Sequence, residues 1–146
     1  MRVIDQEMAG IIKFILDTVD LKPYYEDVRE KFVVPSVFFP LPEIMSSCCT
    51  LGSYKISYMW FVKFFGTDKT QAHRNASHVM YQLISKRLMI TLYDKEGNKT
   101  FEKLRINQPR VKILDDTTCQ LTIEWNSVRH YENEIYPQMD DFILEG

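Results

Sequence analysis

Two stretches of the chain have apolar residues that recur every three or four positions, as on one face of an α-helix. The first runs from Ile4 to Val19, and Lys22–Pro23 ends it because proline restricts its predecessor away from helical geometry. The second follows Asp68, which forms a capping-box pattern with Gln71, and extends to about Leu88. The sequence therefore predicts two amphipathic helices.

Other stretches alternate between apolar and polar residues, as β-strands do. From Tyr54 to Phe65 one set of alternate positions is wholly large and apolar, which predicts a strand fully covered on one face. Met89–Tyr93 reads as a short strand and Thr117–Val128 as a long one. Between them, Phe101–Leu114 is expected to be one extended arm, with Pro109 marking an edge or a bulge.

The connections complete the expected architecture. Residues 24–34 form a charged connection with a helical turn around Tyr25–Lys31, and the prolines of Pro35–Pro42 place the next strand at an edge or end of the sheet. Turns are expected at Asp94–Lys99 and Asp115–Asp116. The order predicts an α+β fold, with a mixed or mainly antiparallel β-sheet and both amphipathic helices packed on one face.

Length and composition narrow the class of protein. A chain of 146 residues is expected to form a single domain over 1–146, with residues 131–146 as a C-terminal tail. No stretch approaches the roughly 20 apolar residues of a membrane span, and the acidic residues among the first twenty argue against a signal peptide. The adjacent Cys48–Cys49 and the lone Cys119 fit free thiols in a reducing, intracellular compartment, with Cys119 in the core.

Charge is strongly segregated along the chain. Residues 1–50 carry −3, residues 51–112 carry +8 and residues 113–146 carry −7, although the total is only −2. Three interpretations fit this pattern: an acidic tail folded back on a basic body, a basic patch for nucleic acid, or complementary faces on successive copies of the chain.

Candidate catalytic groups do not form a recognisable constellation. His73 and His78 lie about 140° apart around their predicted helix, so they do not share a metal-binding face. Asp115–Asp116 fits turn chemistry better than acid–base work. The aromatic stripe from Tyr54 to Phe64 is interpreted as core rather than as a stacking platform for nucleic acid. With no phosphate-binding or nucleophile motif, we expect no enzyme activity, no metal and no cofactor.

One stretch resembles a known family. Residues 104–125, Leu-Arg-Ile-Asn-Gln-Pro-Arg-Val-Lys-Ile-Leu-Asp-Asp-Thr-Thr-Cys-Gln-Leu-Thr-Ile-Glu-Trp, with Tyr131 and the later Pro-Gln-Met-Asp-Asp-Phe-Ile-Leu, resemble phage proteins of the tail terminator type. Val-Pro-Ser-Val-Phe-Phe before the long strand and Trp-Phe-Val-Lys-Phe-Phe-Gly before the second helix fit as well. The resemblance covers most of residues 4–144 and rests on hydrophobic and turn positions.

The resemblance implies a small α+β protein that assembles into a hexameric ring. Such a ring caps the phage tail tube, ends its polymerisation and joins tail to head, so its partners would be itself, the tail-tube protein and a head-completion or neck protein. DNA would be only passing cargo, no membrane would be involved, and the protein would reside at the tail–neck junction of the virion after assembly in the bacterial cytoplasm.

Charge and expected exposure select the candidate subunit interface. Its residues are Lys99, Lys103, Arg105, Arg110, Lys112, Asp115, Asp116, Glu132, Glu134, Asp140, Asp141 and Phe142. Lys103, Arg105 and Lys99 are expected on one side of a strand. Three alternatives remain open: another head–tail connector or neck protein, a nucleic-acid-binding module using residues 51–112, and a small-molecule enzyme that gathers the histidines or Cys48–Cys49.

Overall fold

The computed structural model describes residues 6–25 and 33–131. The elements, in chain order, are α1 (Gln6–Thr18), β1 (Lys22–Tyr24), β2 (Ser36–Phe38), β3 (Glu43–Cys49), β4 (Ser53–Phe65), α2 (Lys69–Ser85), β5 (Met89–Tyr93), β6 (Lys99–Arg105), β7 (Arg110–Ile113) and β8 (Thr118–His130). Two helices with a mixed sheet confirm the α+β fold class.

The strands form a six-stranded main sheet and a separate two-stranded ribbon. The main sheet has the order β1-β2-β4-β8-β7, and β3 also pairs with β4. Its centre is the antiparallel pair of β4 and β8, which runs from Ser53 opposite His130 to Phe65 opposite Thr118. Because β1 and β2 are parallel whereas the other pairs are antiparallel, the sheet is mixed. Strands β5 and β6 form the ribbon, an antiparallel hairpin.

Both helices contribute to one hydrophobic core on one face of the main sheet. The largest fully buried side chains are Trp60, Trp125, Phe64, Ile11, Ile15 and Leu83. Trp125 stacks on Tyr58 with ring centroids 4.8 Å apart, and its indole nitrogen donates to the Glu7 carboxylate at 3.3 Å. The stripe predicted to face the core does so from Tyr58 to Phe64, and Cys119 is buried as expected.

Helix α2 begins as the sequence predicts and ends three residues earlier. The Asp68 side chain accepts from the Gln71 amide at 2.8 Å, and the Gln71 side chain accepts from the Thr67 amide at 2.7 Å. The helix stops at Ser85 instead of Leu88 because Arg87 and Leu88 both adopt φ of 60°. The Leu88 amide then donates to the Leu83 carbonyl at 2.8 Å, closing the helix in the manner of a Schellman motif and turning the chain into β5.

The expected edge strand at Pro35–Pro42 is not at an edge. Lys22–Pro23 ends α1 as predicted, but with Tyr24 it forms β1, a strand that the sequence analysis missed. Strand β1 pairs with one side of β2, and β4 pairs with the other. Most of the helical turn expected at Tyr25–Lys31 lies outside the described residues.

The extended arm expected over Phe101–Leu114 is divided between the two sheets. Its first part is β6, in the hairpin, and its last part is β7, in the main sheet. Ile106 forms an isolated bridge with Trp125, and the Asn107 amide donates to the Glu124 carbonyl at 2.8 Å. The chain therefore passes from the hairpin to the main sheet at residue 106, and β7 begins directly after Pro109, which has no amide hydrogen to donate.

Candidate subunit interface

Strand β6 carries the most conspicuous exposed face in the described part of the chain. The Cα partners of Lys99, Lys103 and Arg105 are alternate residues of β5, so these three cations share one face, as the sequence predicted. All three are exposed. Phe101 lies between them and is fully exposed, with a relative accessibility of 104%. We call these four residues the basic hairpin face.

This placement follows from the pattern of the hairpin. Leu104 is buried against the core and is the Cα partner of Ile90, which is also buried. The burial of this pair shows which face of the hairpin points to the core, and the basic side chains lie on the opposite face. The turn that joins the strands is held by the Asp94 side chain, which accepts from the Asn98 amide at 2.8 Å, and by Gly97 at φ 84°.

A groove of about 520 Å³ adjoins the basic hairpin face. It lies between α1, the end of α2 and the hairpin, and Lys103 lines it together with Lys13 and Lys86. Lys13 is 3.3 Å from Asp17 and lies 5.2 Å from the centre of the Tyr93 ring. The groove therefore continues the cationic and aromatic surface of the hairpin toward the helices.

The two remaining predicted cations lie on another surface. Arg110 and Lys112 are exposed on β7, where their Cα partners are Thr122 and Gln120. These partners alternate with the buried core residues of β8, so Arg110 and Lys112 face away from the helices. Arg110 is 3.6 Å from Glu124 on the same outer face. The five predicted cations thus form two groups instead of one.

Asp115 performs the turn chemistry that the sequence predicted. Its side chain accepts from the Thr117 amide at 2.9 Å and from the Thr117 hydroxyl at 3.2 Å. Hydrogen bonds from Thr117 and Thr118 hold the pKa of the exposed Asp115 carboxyl below its ordinary value. Asp116 is exposed beside it. The other acidic and apolar interface candidates are Glu132, Glu134, Asp140, Asp141 and Phe142, which lie outside the described residues.

A third set of exposed residues lies along β3, on both faces of the sheet. Large apolar side chains are exposed along this strand and its flanking loops. They are Leu41, Ile44, Met45 and Leu51. Sequence analysis did not predict this surface, since β3 itself was not recognised as a strand.

The features considered for chemistry are dispersed. His73 and His78 are both exposed on α2, and the His73 ring is 3.3 Å from the Ser77 hydroxyl. Across residues 6–25 and 33–131, no three histidine, cysteine or acidic side chains form a group that could hold a metal. Burial raises the pKa of the Cys119 thiol. No helix within these ranges is long and apolar enough to cross a membrane.

Sequence reasoning missed Phe101 and the groove residues for different reasons. Phe101 lies where the register of the hairpin shifts, so alternation does not place it, and its full exposure alone joins it to the basic hairpin face. Lys13 precedes Phe101 by 88 residues and Lys86 precedes it by 15, and both reach the groove only through packing of the helices. The sequence carries no local signal for that packing.

Comparison with known proteins relates the α+β chain to a phage-like element. No protein-family model matches it. The phage-like element PBSX protein XkdJ of Bacillus subtilis (strain 168) is 27% identical over 142 residues, which cover 97% of each chain. YqbJ of the same strain, named as an uncharacterized protein, is 26% identical over 138 residues and 94% of each chain. These full-length relatives indicate a prophage protein.

Proposed function

We propose that this chain is a non-enzymatic virion assembly protein that forms a ring on the end of a phage tail tube. The ring would end tube polymerisation and join tail to head at the tail–neck junction. Its partners would be other copies of itself in a homohexamer, the tail-tube protein and a head-completion or neck protein, with DNA only passing through the lumen.

Similarity to XkdJ supports the class of protein. The match extends over nearly the whole of both chains, so it relates the complete fold and not a shared motif. Since XkdJ is named as a protein of a phage-like element, a role in virion assembly is the natural function for a chain of the same length. The resemblance to tail terminators supports the more specific role of ending the tail tube.

The basic hairpin face is the observation that most directly supports self-association. A fully exposed Phe101 flanked by Lys99 and Lys103 is costly to leave in water and is typical of residues that become buried in an interface. Residues 132–146 contain five acidic side chains, no basic one and several apolar ones, so their composition is complementary to that face. A contact between two different surfaces of successive copies is heterologous, and such contacts close into rings.

The arrangement of cations bears on the nucleic-acid alternative. A module that binds nucleic acid through residues 51–112 would need its cations along one continuous track. Arg110 and Lys112 instead face away from the helices, and Arg110 is already close to Glu124. This division favours separate protein contacts over one nucleic-acid groove.

The proposal is tested with the purified full chain. Sedimentation at low and high salt, with electron micrographs of the same samples, should show rings of about six subunits that weaken as salt rises. Added to growing tail tubes of a related phage-like element, the protein should bind one end of each tube and stop its elongation.

Charge reversal gives a matched comparison. Lys103→Glu with Arg105→Glu should abolish rings and end binding, whereas Lys69→Glu with Arg74→Glu on exposed positions of α2 changes net charge equally and should not. A protein that stays monomeric at every concentration and does not bind tube ends would refute the proposal. Binding to the head portal alone would identify a neck protein, and steeply salt-dependent binding to DNA would identify a nucleic-acid module.

A further inference from the structure

The main sheet has open edges on opposite sides. Among the described residues, β3 pairs only with β4, and β7 pairs only with β8. Beside β3, the same side of the sheet ends in β1, where Pro23 cannot donate a hydrogen bond. Unpaired edges are normally protected, because their free amides and carbonyls recruit another strand. Neither β3 nor β7 contains a proline.

The register shows which backbone groups of β3 are free. Just beyond β4, the Gly66 amide donates to the Thr117 carbonyl, which continues the register of β4 with β8. Even-numbered positions of β4 therefore bond toward β8, and odd-numbered positions such as Ser57 bond toward β3. Met45 is the partner of Ser57, so the backbone groups of Met45 bond to β4. Those of the neighbouring Ile44 point to the open side, and so do those of residue 46.

The same reasoning applies to β7. The Leu114 amide donates to the Thr118 carbonyl at 2.9 Å, just beyond the strand. Alternate positions, including Lys112, therefore bond to β8. The backbone groups of Val111 and Ile113 point to the open side of β7.

The two edges match in length, direction and facing. The register of β3 is regular over Glu43–Ser46 before it shifts, and β7 is Arg110–Ile113, so each offers four residues. Three antiparallel steps separate β3 from β7, so they run in opposite directions. Copies placed side by side in one orientation would therefore bring β7 antiparallel to the neighbour's β3.

Side chains fit this pairing on both faces. Ile44 and Ile113 are 62% and 45% exposed and lie on the helix side, as their partners Tyr58 and Cys119 show. On the outer side, Glu43 of one edge and Lys112 of the other are exposed and opposite in charge. With Ile44 opposite Ile113, apolar side chains would meet on the helix side, and Glu43 would be the diagonal neighbour of Lys112 on the outer side.

We infer that Ile44–Ser46 of one copy pairs antiparallel with Val111–Ile113 of the next, with Ile44 opposite Ile113, Met45 opposite Lys112 and Ser46 opposite Val111. In this register the two residues of β3 whose backbone groups point outward bond to the two such residues of β7. The main sheet then continues from subunit to subunit. It rests on the proposed function in one respect, that the partner is a second copy of the chain.

Proline substitutions test the pairing in the full chain. Ile44→Pro and Ile113→Pro each delete an amide that points to the open edge and leave the bonds to β4 and β8 in place. Each should raise the subunit dissociation constant about tenfold or more, because one hydrogen bond is lost and a carbonyl is left unpaired. Ile44→Val and Ile113→Val keep the amide and should assemble like the original chain.

Mixing the two proline variants gives the sharpest result. The Ile44→Pro chain keeps an intact β7 and the Ile113→Pro chain keeps an intact β3. At concentrations where neither variant associates alone, the mixture should therefore form a 1:1 dimer and nothing larger. If Ile113→Pro dimerises alone, β3 edges pair with each other and the inference is overturned.

Hydrogen exchange on the unsubstituted chain provides a test that does not depend on the folding of the variants. The amides of Ile44 and Ile113 should exchange slowly in the assembly and rapidly in the diluted monomer. Equal rates in both states would overturn the pairing even if rings form and cap tubes, whereas absence of any assembly would refute the proposed function. Protection of Ile44 that persists in the monomer and disappears when residues 132–146 are removed would assign the edge to that segment and overturn the pairing with a second copy.

Discussion

Replacing Phe101 with threonine should separate association from folding. The ring of Phe101 is fully exposed in the subunit, so its removal exposes no buried surface, and threonine keeps a high strand propensity. The free energy of unfolding of the monomer should therefore change by less than about 0.5 kcal/mol. Burying a phenylalanine side chain at an interface contributes about 1.5–3 kcal/mol, so the subunit dissociation constant should rise roughly 10- to 150-fold.

Two measurements on the same variant decide the matter. Urea denaturation followed by circular dichroism below the assembly concentration gives the stability of the monomer, and sedimentation equilibrium gives the dissociation constant. Tyr81→Ala is the control, since Tyr81 is an aromatic residue 62% exposed on α2 that does not line the groove beside the basic hairpin face. Unchanged association in Phe101→Thr, or equal weakening in Tyr81→Ala, would contradict the role assigned to that face.

Three further predictions concern the subunit itself. Asp68→Ala removes the acceptor of the Gln71 amide and should cost about 1 kcal/mol, lowering the melting temperature by roughly 2–4 °C, whereas Asp68→Ser should keep most of the stability. Because hydrogen bonds from Thr117 lower the pKa of Asp115, its carboxylate stabilises the fold fully above pH 3.8, the ordinary pKa. This stabilisation is lost as pH falls through the lowered pKa. The free energies of unfolding of the original chain and of Asp115→Asn should therefore differ above this pH range and become equal below it. Cys119 is buried with a raised thiol pKa, so peptide mapping after brief alkylation should find it unmodified in the native protein and modified in urea; labelling in the native state would indicate that this part of the core opens.

Elements with a strong local pattern were predictable from the sequence. Strand β4 alternates over its whole length, and the Asp68 cap marks the start of α2. The sequence therefore predicts the bounds of both elements to within a few residues. Strand β1 was not, because three residues containing Pro23 have no alternation to detect and are strands only through pairing with β2. The same holds for β3, whose mixture of apolar and polar residues shows no alternation and which is a strand only through its pairing with β4.

The candidate interface was predictable in part. Alternation correctly placed Lys99, Lys103 and Arg105 on one face. Lys112 was assigned to the same arm because the sequence does not show that the chain changes sheets near Pro109. That change depends on the bridge between residues 106 and 125 and turns neighbouring cations toward opposite sides of the subunit. Net charge along the sequence therefore indicated a basic region but not its division into two surfaces.

The chain has two tryptophans, Trp60 and Trp125, and both are buried in the same aromatic cluster with ring centroids 5.9 Å apart. Their relative accessibilities are 0% and 1%, so the joining of subunits leaves their contact with solvent unchanged. Intrinsic fluorescence should therefore report loss of the native core and stay silent during ring closure, so a dye attached to the turn at Asp94–Asn98 would be needed to follow assembly in real time. Recording both emissions in one experiment would distinguish a variant that does not fold from one that folds but does not associate.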